Sequence, residues 1–277
     1  MEVGRGDHVR RAPAWVCLLA LLVPLALVLP GRSPAQSAPR ASDAAPSARA
    51  AAPQDLTGYW VSLVTEDWRY RMITPDRGDF QGVPLNAAGR QLATEWDPAR
   101  DEARGEQCRS YGAPAIMRVP TRVRIAWSDD NTLRVETDAG QQARLFHFGG
   151  TPPPGASPTW QGYSVASWEG ARPRGPGMGT VARGMQQAGQ PAREGYLKVL
   201  TTELRPGYLR KNGVPYGAQT SLEEYFDSFQ EPNGDRWLVV TAIVTDPEYL
   251  NEPFVTSSHF KKIPDGAGWH PTRCEAR

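Results

Sequence analysis

Residues 118–137, RVPTRVRIAWSDDNTLRVET, predict a β-hairpin, and the rest of the fold follows from it. Apolar residues or threonine occupy every second position over residues 119–127 and again over 133–137, with charged residues among the positions between them. Side chains of a strand alternate between two faces, so each segment has one apolar and one charged face. The cluster SDDN at 128–131 is typical of a turn. The stretch therefore predicts two antiparallel strands with an apolar inner face.

The same alternation recurs on both sides of this hairpin. Further strands are predicted at 59–65, 68–74, 141–148, 162–169, 196–204, 221–229, 236–245 and 254–262. One segment with helical spacing, residues 86–96, begins with Asn86 as a candidate N-cap. About eight to ten strands with one short helix predict an all-β fold, either an antiparallel barrel or a sandwich. The sequential hairpins favour the barrel, because closure also hides the strand edges.

The N-terminal part of the chain predicts segments outside the barrel. Residues 1–35 show basic residues, an apolar run at 15–29 and a small-residue cleavage site, which is the order of a signal peptide. Residues 36–53 are mostly Ala, Ser, Pro and Arg and predict a disordered linker. The barrel domain would then occupy residues 54–277. Within it, residues 170–195 are rich in Gly, Pro and Arg and predict a long disordered loop.

This N-terminal pattern predicts export to the periplasm or the cell exterior. The apolar run is short for a membrane span, which needs about 20 residues. We therefore expect no membrane span after removal of the signal. An uncleaved segment that anchors the protein to the membrane is the alternative.

The charge balance argues against nucleic acid as a partner. The first 35 residues hold four of the 31 basic and two of the 30 acidic residues, which leaves 27 basic and 28 acidic residues in the rest of the chain. A protein that binds a phosphate backbone needs an excess of basic side chains. The oligomeric state is left open by the sequence.

Two cysteines, Cys108 and Cys274, remain after removal of the signal peptide. An even pair of cysteines in an exported chain predicts a disulfide. This bridge would tie the C-terminal tail to the region before the first long hairpin. Two unrelated thiols are the alternative.

The stretch GYW at 58–60 resembles the G-x-W motif that opens the first strand of lipocalins. The resemblance implies a calycin-type barrel in which Trp60 plugs one end. It also implies an arginine near the last strand that packs across the ring. The last strand here offers Lys261 and Lys262 and no arginine, which departs from the lipocalin pattern. The second lipocalin signature, a T-D-x loop, is not recognisable.

A broader resemblance connects the chain with uncharacterised exported bacterial proteins that carry a lipocalin-like β-barrel domain. It rests on YGAPAIMRVP, DDNTLRVETDAG, WQGYSVASWE, RPGYLRKNGVPYG, EPNGDRWLVVT and DPEYLNEPFVTSSHFKK. These segments span about residues 108–262. The resemblance implies an exported β-domain and carries no activity.

The densest polar and aromatic stretch, residues 205–217, contains most of the candidate ligand-binding residues. Tyrosines of this stretch would line a pocket, and its arginines would hold a carboxylate or phosphate. The candidates are Arg205, Tyr208, Arg210, Tyr216 and, in the first strand, Trp60. The alternative is a structural turn, because Pro206-Gly207 and Asn212-Gly213 are strong turn dipeptides.

The catalytic candidates are His147, His259 and Glu224. Each histidine lies in the middle of a predicted strand, where it would act as a general base beside a carboxylate or simply belong to the barrel wall. Glu224 shares a strand face with Leu222 and Phe226, which predicts an inward carboxylate. No metal site is predicted, because the histidines are widely spaced. No cofactor is predicted, because no glycine-rich phosphate loop links a strand to a helix.

These observations favour an exported protein that binds a small apolar or amphipathic ligand in the cavity of a lipocalin-like barrel. An enzyme on the same barrel, such as an isomerase, cyclase or hydrolase with an inward histidine or carboxylate, is the alternative. A structural or envelope-associated interaction domain is a further alternative. The sequence identifies neither the ligand nor a reaction.

Overall fold

The computed structural model describes residues 45–170 and 195–277. The predicted signal peptide at 1–35, the first part of the predicted linker at 36–44 and residues 171–194 of the predicted loop lie outside the described residues.

Nine strands form a closed barrel, and two further strands form a separate hairpin. The strands are β1 (Gly58–Leu63), β2 (Arg122–Asp129), β3 (Thr132–Thr137), β4 (Ala143–Phe148), β5 (Tyr163–Glu169), β6 (Tyr196–Thr202), β7 (Gly207–Arg210), β8 (Val214–Tyr216), β9 (Ser221–Gln230), β10 (Arg236–Thr245) and β11 (Phe254–Ile263). The order around the barrel is β1-β11-β10-β9-β6-β5-β4-β3-β2, and β7 pairs with β8 outside it. The predicted fold class, an all-β lipocalin-like barrel, is confirmed.

One strand pair in the barrel is parallel. Phe146 on β4 pairs in register with Ser164 on β5, and both strands run in the same direction. A closed ring with an odd number of strands cannot alternate in direction throughout, so nine strands require at least one parallel pair. The 14-residue connection at 149–162 makes this pairing possible, because a parallel pair needs a crossover and not a tight turn. The prediction of purely antiparallel strands is wrong at this pair.

Short helices surround one end of the barrel. They are α1 (Trp68–Arg71), α2 (Ala87–Thr94), α3 (Pro98–Ala103) and α4 (Ala113–Ile116), with 3₁₀-helices at Gln107–Tyr111 and Ala139–Gln141. The helix predicted after Asn86 is confirmed as α2, and Asn86 Oδ1 accepts a hydrogen bond from the Gly89 amide at 2.9 Å. The strand predicted at 68–74 is wrong, because α1 occupies this segment. Its helical turn buries Arg71, which the alternating pattern had placed on a strand.

Side chains fill the interior of the barrel. Trp60, Phe146, Phe226 and Phe260 are fully buried, and the rings of Phe146 and Phe226 lie 5.3 Å apart in an edge-to-face arrangement. Close packing of this kind is typical of protein cores. The inward residues that would have lined a ligand cavity thus pack against one another.

The N-terminal segment contacts the opposite end of the barrel from the helices. The backbone amide of Arg49 donates to the carbonyl of Asp130 at 3.0 Å, and Trp168 Nε1 donates to the carbonyl of Ala48 at 2.9 Å. These two hydrogen bonds join residues 48 and 49, which lie within the predicted linker, to this end of the barrel.

Candidate functional site

A cleft of about 350 Å³ lies outside the barrel, beside the helices at one end. Its walls come from the α1 region, the turn before β2, the β7 strand and the C-terminal tail. A volume near the lower end of ligand-site sizes suits a small molecule. Three buried arginines, Arg71, Arg118 and Arg210, line this cleft.

Arg71 is fixed on both sides by the local fold. Its Nε donates to the backbone carbonyl of Arg118 at 2.8 Å, and its Nη1 forms an ion pair with Glu66. Burial lowers the pKa of Arg71, and the charge of Arg118 acts in the same direction, whereas Glu66 and Asp67 oppose the shift. The side chain of Arg71 is therefore held in place, and Glu66 neutralises most of its charge.

Arg118 follows α4 and reaches across to the loop after β1. Its Nη2 lies 3.0 Å from Asp67 Oδ2, and its guanidinium carbon lies 5.5 Å from the centre of the Phe254 ring. Its Nη1 is buried and has no hydrogen-bond partner among the described residues. A buried donor without an acceptor costs about 1–3 kcal/mol.

Arg210 at the end of β7 contributes the second donor without an acceptor. Its Nη1 donates to the carbonyl of Gln81 at 2.8 Å, whereas its buried Nε has no partner in residues 45–170 and 195–277. Burial and the nearby charge of Arg118 lower the pKa of Arg210 to about 10. An anion beside Arg210 would restore the stability of its charged form.

The hairpin of β7 and β8 places Arg210 through a turn that tolerates little change. Gly213 has a φ of +79°, a conformation that favours glycine, and its missing side chain leaves room for the ring of Trp96. A register shift between Tyr208 and Arg210 also marks an irregular strand. The turn chemistry recognised in the sequence thus serves to aim a basic side chain at the cleft.

The cleft also has an apolar side. Buried Leu209 and the exposed Met72 and Ile73 line it, together with the ring of Tyr111. Basic donors on one side and apolar side chains on the other suit a ligand that is itself amphipathic.

The C-terminal tail completes the cleft, and the disulfide holds this tail. Cys108 and Cys274 are bonded, with their Cα atoms 5.1 Å apart, which confirms the predicted bridge. The neighbouring Glu275 lies 3.9 Å from the Lys211 ammonium. The bridge therefore fixes the wall formed by Thr272, Arg273 and Glu275.

Of the predicted ligand-binding residues, only Arg210 lines the cleft. Tyr208 points elsewhere, with its hydroxyl donating to Asp101 at 2.9 Å under the guanidinium of Arg109. Tyr216, on β8 of the hairpin, is buried in a second apolar cluster. Arg205 lies at the surface and pairs with Glu106 at 2.5 Å.

Trp60 lies inside the barrel and not at the cleft. Its Nε1 donates to the carbonyl of Leu56 at 3.0 Å, and the Lys262 ammonium lies 5.0 Å from the ring centre. The lipocalin resemblance implies an arginine beside this ring, and the lysine departs from that pattern. Burial lowers the pKa of Lys262. The charge of Arg236 lowers it further, and the charge of Asp55 only partly offsets the shift.

The catalytic candidates do not share one cavity. Glu224 is fully buried in the barrel, where Arg144 Nη1 donates to its Oε1 at 2.9 Å. His147 lies on the outer face and stacks on Tyr163 at 4.9 Å. His259 also lies on the outer face, with its Nδ1 2.8 Å from Glu66 Oε2.

Sequence reasoning missed Arg71 and Arg118. Arg71 was assigned to a strand, and Arg118 was assigned to the charged outer face of the first hairpin. The signal that could have found them is the local excess of arginine over residues 69–77 and 118–124, which exceeds what a solvated strand face needs.

Among residues 45–170 and 195–277, no group of three or more His, Cys, Asp and Glu side chains is arranged to hold a metal ion. No helix in the same part of the chain is long and apolar enough to span a membrane.

Comparison of the chain with protein-family models, with curated protein sequences and with solved structures gave no match.

Proposed function

We propose that the protein is an exported binding protein for a small amphipathic anion, held in the cleft beside the barrel. One observation carries this proposal. Two buried guanidinium donors, Arg118 Nη1 and Arg210 Nε, have no hydrogen-bond acceptor among the described residues and belong to side chains that line one cleft. Charge-assisted bonds from arginine are the usual way to hold a carboxylate or phosphate.

The location of the cleft changes the ligand that the sequence suggested. A mostly apolar ligand in the barrel would have to displace packed aromatic rings such as Phe146 and Phe226. The cleft needs no such displacement, and its apolar side can still cover the non-polar part of a small ligand. Export is supported by the Cys108–Cys274 disulfide, because such bonds persist in oxidising compartments.

The test measures binding of phenylacetate by calorimetry, with 2-phenylethanol as the neutral probe of matched size. The protein is produced by secretion, so that the disulfide forms. We expect phenylacetate to bind and to raise the melting temperature through mass action, and 2-phenylethanol to do neither. Equal binding of both probes, or of neither, would overturn the proposal.

Substitutions assign the binding to the cleft. Arg210→Met and Arg118→Met keep most of the side-chain volume and remove the donors, so each should weaken phenylacetate binding at least tenfold. Arg134→Met is the matched control, because Arg134 lies on the outer barrel face, 44% exposed, and pairs with Glu136 at 3.0 Å. Loss of binding in the control as in the cleft variants would show a non-specific charge effect.

An enzyme that uses His259 as acid or base is the second candidate function. Glu66 lies 2.8 Å from His259 Nδ1, and Thr65 Oγ1 lies 2.9 Å from the same atom, so the imidazole is oriented by its neighbours. An oriented imidazole beside a carboxylate is a common acid–base arrangement. Chemical turnover of a bound ligand that His259→Gln abolishes, with binding retained, would favour this candidate over simple binding.

A further inference from the structure

Of the three buried arginines that line the cleft, two form ion pairs with carboxylates and one does not. Arg71 pairs with Glu66 and Arg118 pairs with Asp67. A third pair joins Arg69 and Asp79 at 3.0 Å close by. The carboxylates that lie near Arg210 are thus already engaged by other arginines.

Arg210 is the buried exception. It is 5% exposed, and no carboxylate forms an ion pair with it among the residues that the structure describes. Its contacts are the neutral carbonyl of Gln81 and the ring of Tyr70. The buried side of the cleft therefore carries one uncompensated positive charge. Two further cations line the cleft nearer its rim: Lys211, which lies 3.9 Å from Glu275, and the exposed Arg273.

We propose that the cleft selects ligands with a single negative charge, a carboxylate or sulfonate, over dianions such as a phosphate monoester. This inference rests on the proposed function of anion binding. A monoanion neutralises Arg210 and leaves the buried cleft without net charge. A dianion leaves one negative charge without a buried partner, which is costly because the site is partly desolvated.

The carboxylate of Asp67 provides the variant that should change the selection. Asp67→Asn removes one negative charge and keeps the shape of the side chain beside Arg118. The backbone at this position has a φ of +51°, a conformation in which asparagine is well tolerated, so the variant should fold. Asp130→Asn is the matched control, because it removes the same charge from the turn between β2 and β3, far from the cleft.

The experiment compares three probes at pH 8 by calorimetry: phenylacetate, phenylmethanesulfonate and phenyl phosphate. The first two carry one charge with planar and tetrahedral head groups, and phenyl phosphate carries two at this pH. We expect both monoanions to bind about tenfold tighter than phenyl phosphate, since an unpaired charge near a protein surface costs more than 1 kcal/mol, or about tenfold. Asp67→Asn should reduce this ratio about tenfold, and Asp130→Asn should leave it unchanged.

The outcomes separate this inference from the proposed function. Tighter binding of phenyl phosphate to the unsubstituted protein, or no change of the ratio in Asp67→Asn, would overturn the selection for a single charge. If one of these results is found but the probes still bind more weakly to Arg210→Met, the proposed function of anion binding in the cleft is kept. No binding of any probe would overturn both proposals.

Discussion

The guanidinium carbon of Arg210 lies 4.3 Å from the centre of the Tyr70 ring, and this stacking holds a buried charged group that has no carboxylate partner among residues 45–170 and 195–277. A buried cation in this situation is destabilised by the loss of hydration. The pKa of Arg210, lowered to about 10 mainly by burial, reports the same cost. The protein thus keeps at Arg210 a charge that its fold alone does not require.

The first prediction separates binding from stability at Arg210. In Arg210→Met the hydrogen bond to the Gln81 carbonyl is lost, but the cost of burying the charge is lost too, so we expect the free energy of unfolding to change by no more than about 1 kcal/mol. Phenylacetate binding should fall at least tenfold. Urea unfolding and calorimetry on the same samples measure both quantities. A strongly destabilised variant would show that Arg210 has a structural role.

A second prediction concerns the ion pair inside the barrel. Arg144 and Glu224 are both almost fully buried, and Thr201 Oγ1 accepts a further hydrogen bond from Arg144 Nη2 at 3.2 Å. Removal of one partner leaves the other as an uncompensated buried charge, so Glu224→Gln should destabilise the fold by about 3–5 kcal/mol. The double variant Arg144→Met with Glu224→Leu should recover much of this loss. Urea unfolding of the three proteins tests the coupling, and additive effects would contradict it.

A third prediction concerns the disulfide. The bridge closes a loop with a sequence separation of 166 residues. The chain-entropy model gives roughly 5 kcal/mol for a loop of this length, so Cys108→Ser with Cys274→Ser should lower the free energy of unfolding by an amount of that order. Because the tail beside Cys274 forms one wall of the cleft, phenylacetate affinity should also fall under conditions where the variant is folded. Unchanged affinity would show that the tail keeps its place without the bridge.

A fourth prediction gives a dependence on pH at the start of the barrel. Partial burial raises the pKa of the Asp55 carboxyl, but hydrogen bonds from the Thr57 hydroxyl and amide, with the charges of Lys262 and Arg236, outweigh burial and lower it overall. A carboxyl with a lowered pKa in the folded state stabilises the fold above its unfolded pKa of about 3.9. This stability is lost as the pH falls through the lowered folded value.

Asp55→Asn should therefore flatten the acid side of the stability curve. We expect the substitution to cost some stability at pH 7 and to cost little at pH 2, where the wild-type carboxyl is protonated. Thermal unfolding across pH 2–7 measures the difference. An equal loss of stability at both ends of this range would contradict the assignment.

The alternating pattern predicted most of the barrel because inward and outward residues in a strand differ in kind. The hairpin centred on residues 128–131 and the strands from 221 to 262 are found close to their predicted positions. The parallel pair of β4 and β5 could not be predicted in this way. Alternation reports which face of a strand is buried, and it carries no information about the direction of the neighbouring strand.

The candidate site was predicted only at Arg210. Turn dipeptides identified the hairpin that carries this residue, but Arg118 and Arg71 reach the cleft from segments far away in sequence. Arg71 shows the difficulty most clearly. Its helix has only four residues, and periodicity does not distinguish a helix from a strand in so short a segment. Neutralisation of Arg118 by Asp67 depends on a contact between residues 51 positions apart and leaves no local pattern.

The most direct test of the account is the affinity of phenylacetate for the protein and for the double variant Arg118→Met with Arg210→Met, measured by calorimetry at pH 8. The account predicts saturable binding to the unsubstituted protein, and no measurable binding to the double variant when Arg134→Met binds normally. Binding of equal strength to the double variant would contradict the claim that the cleft holds an anion.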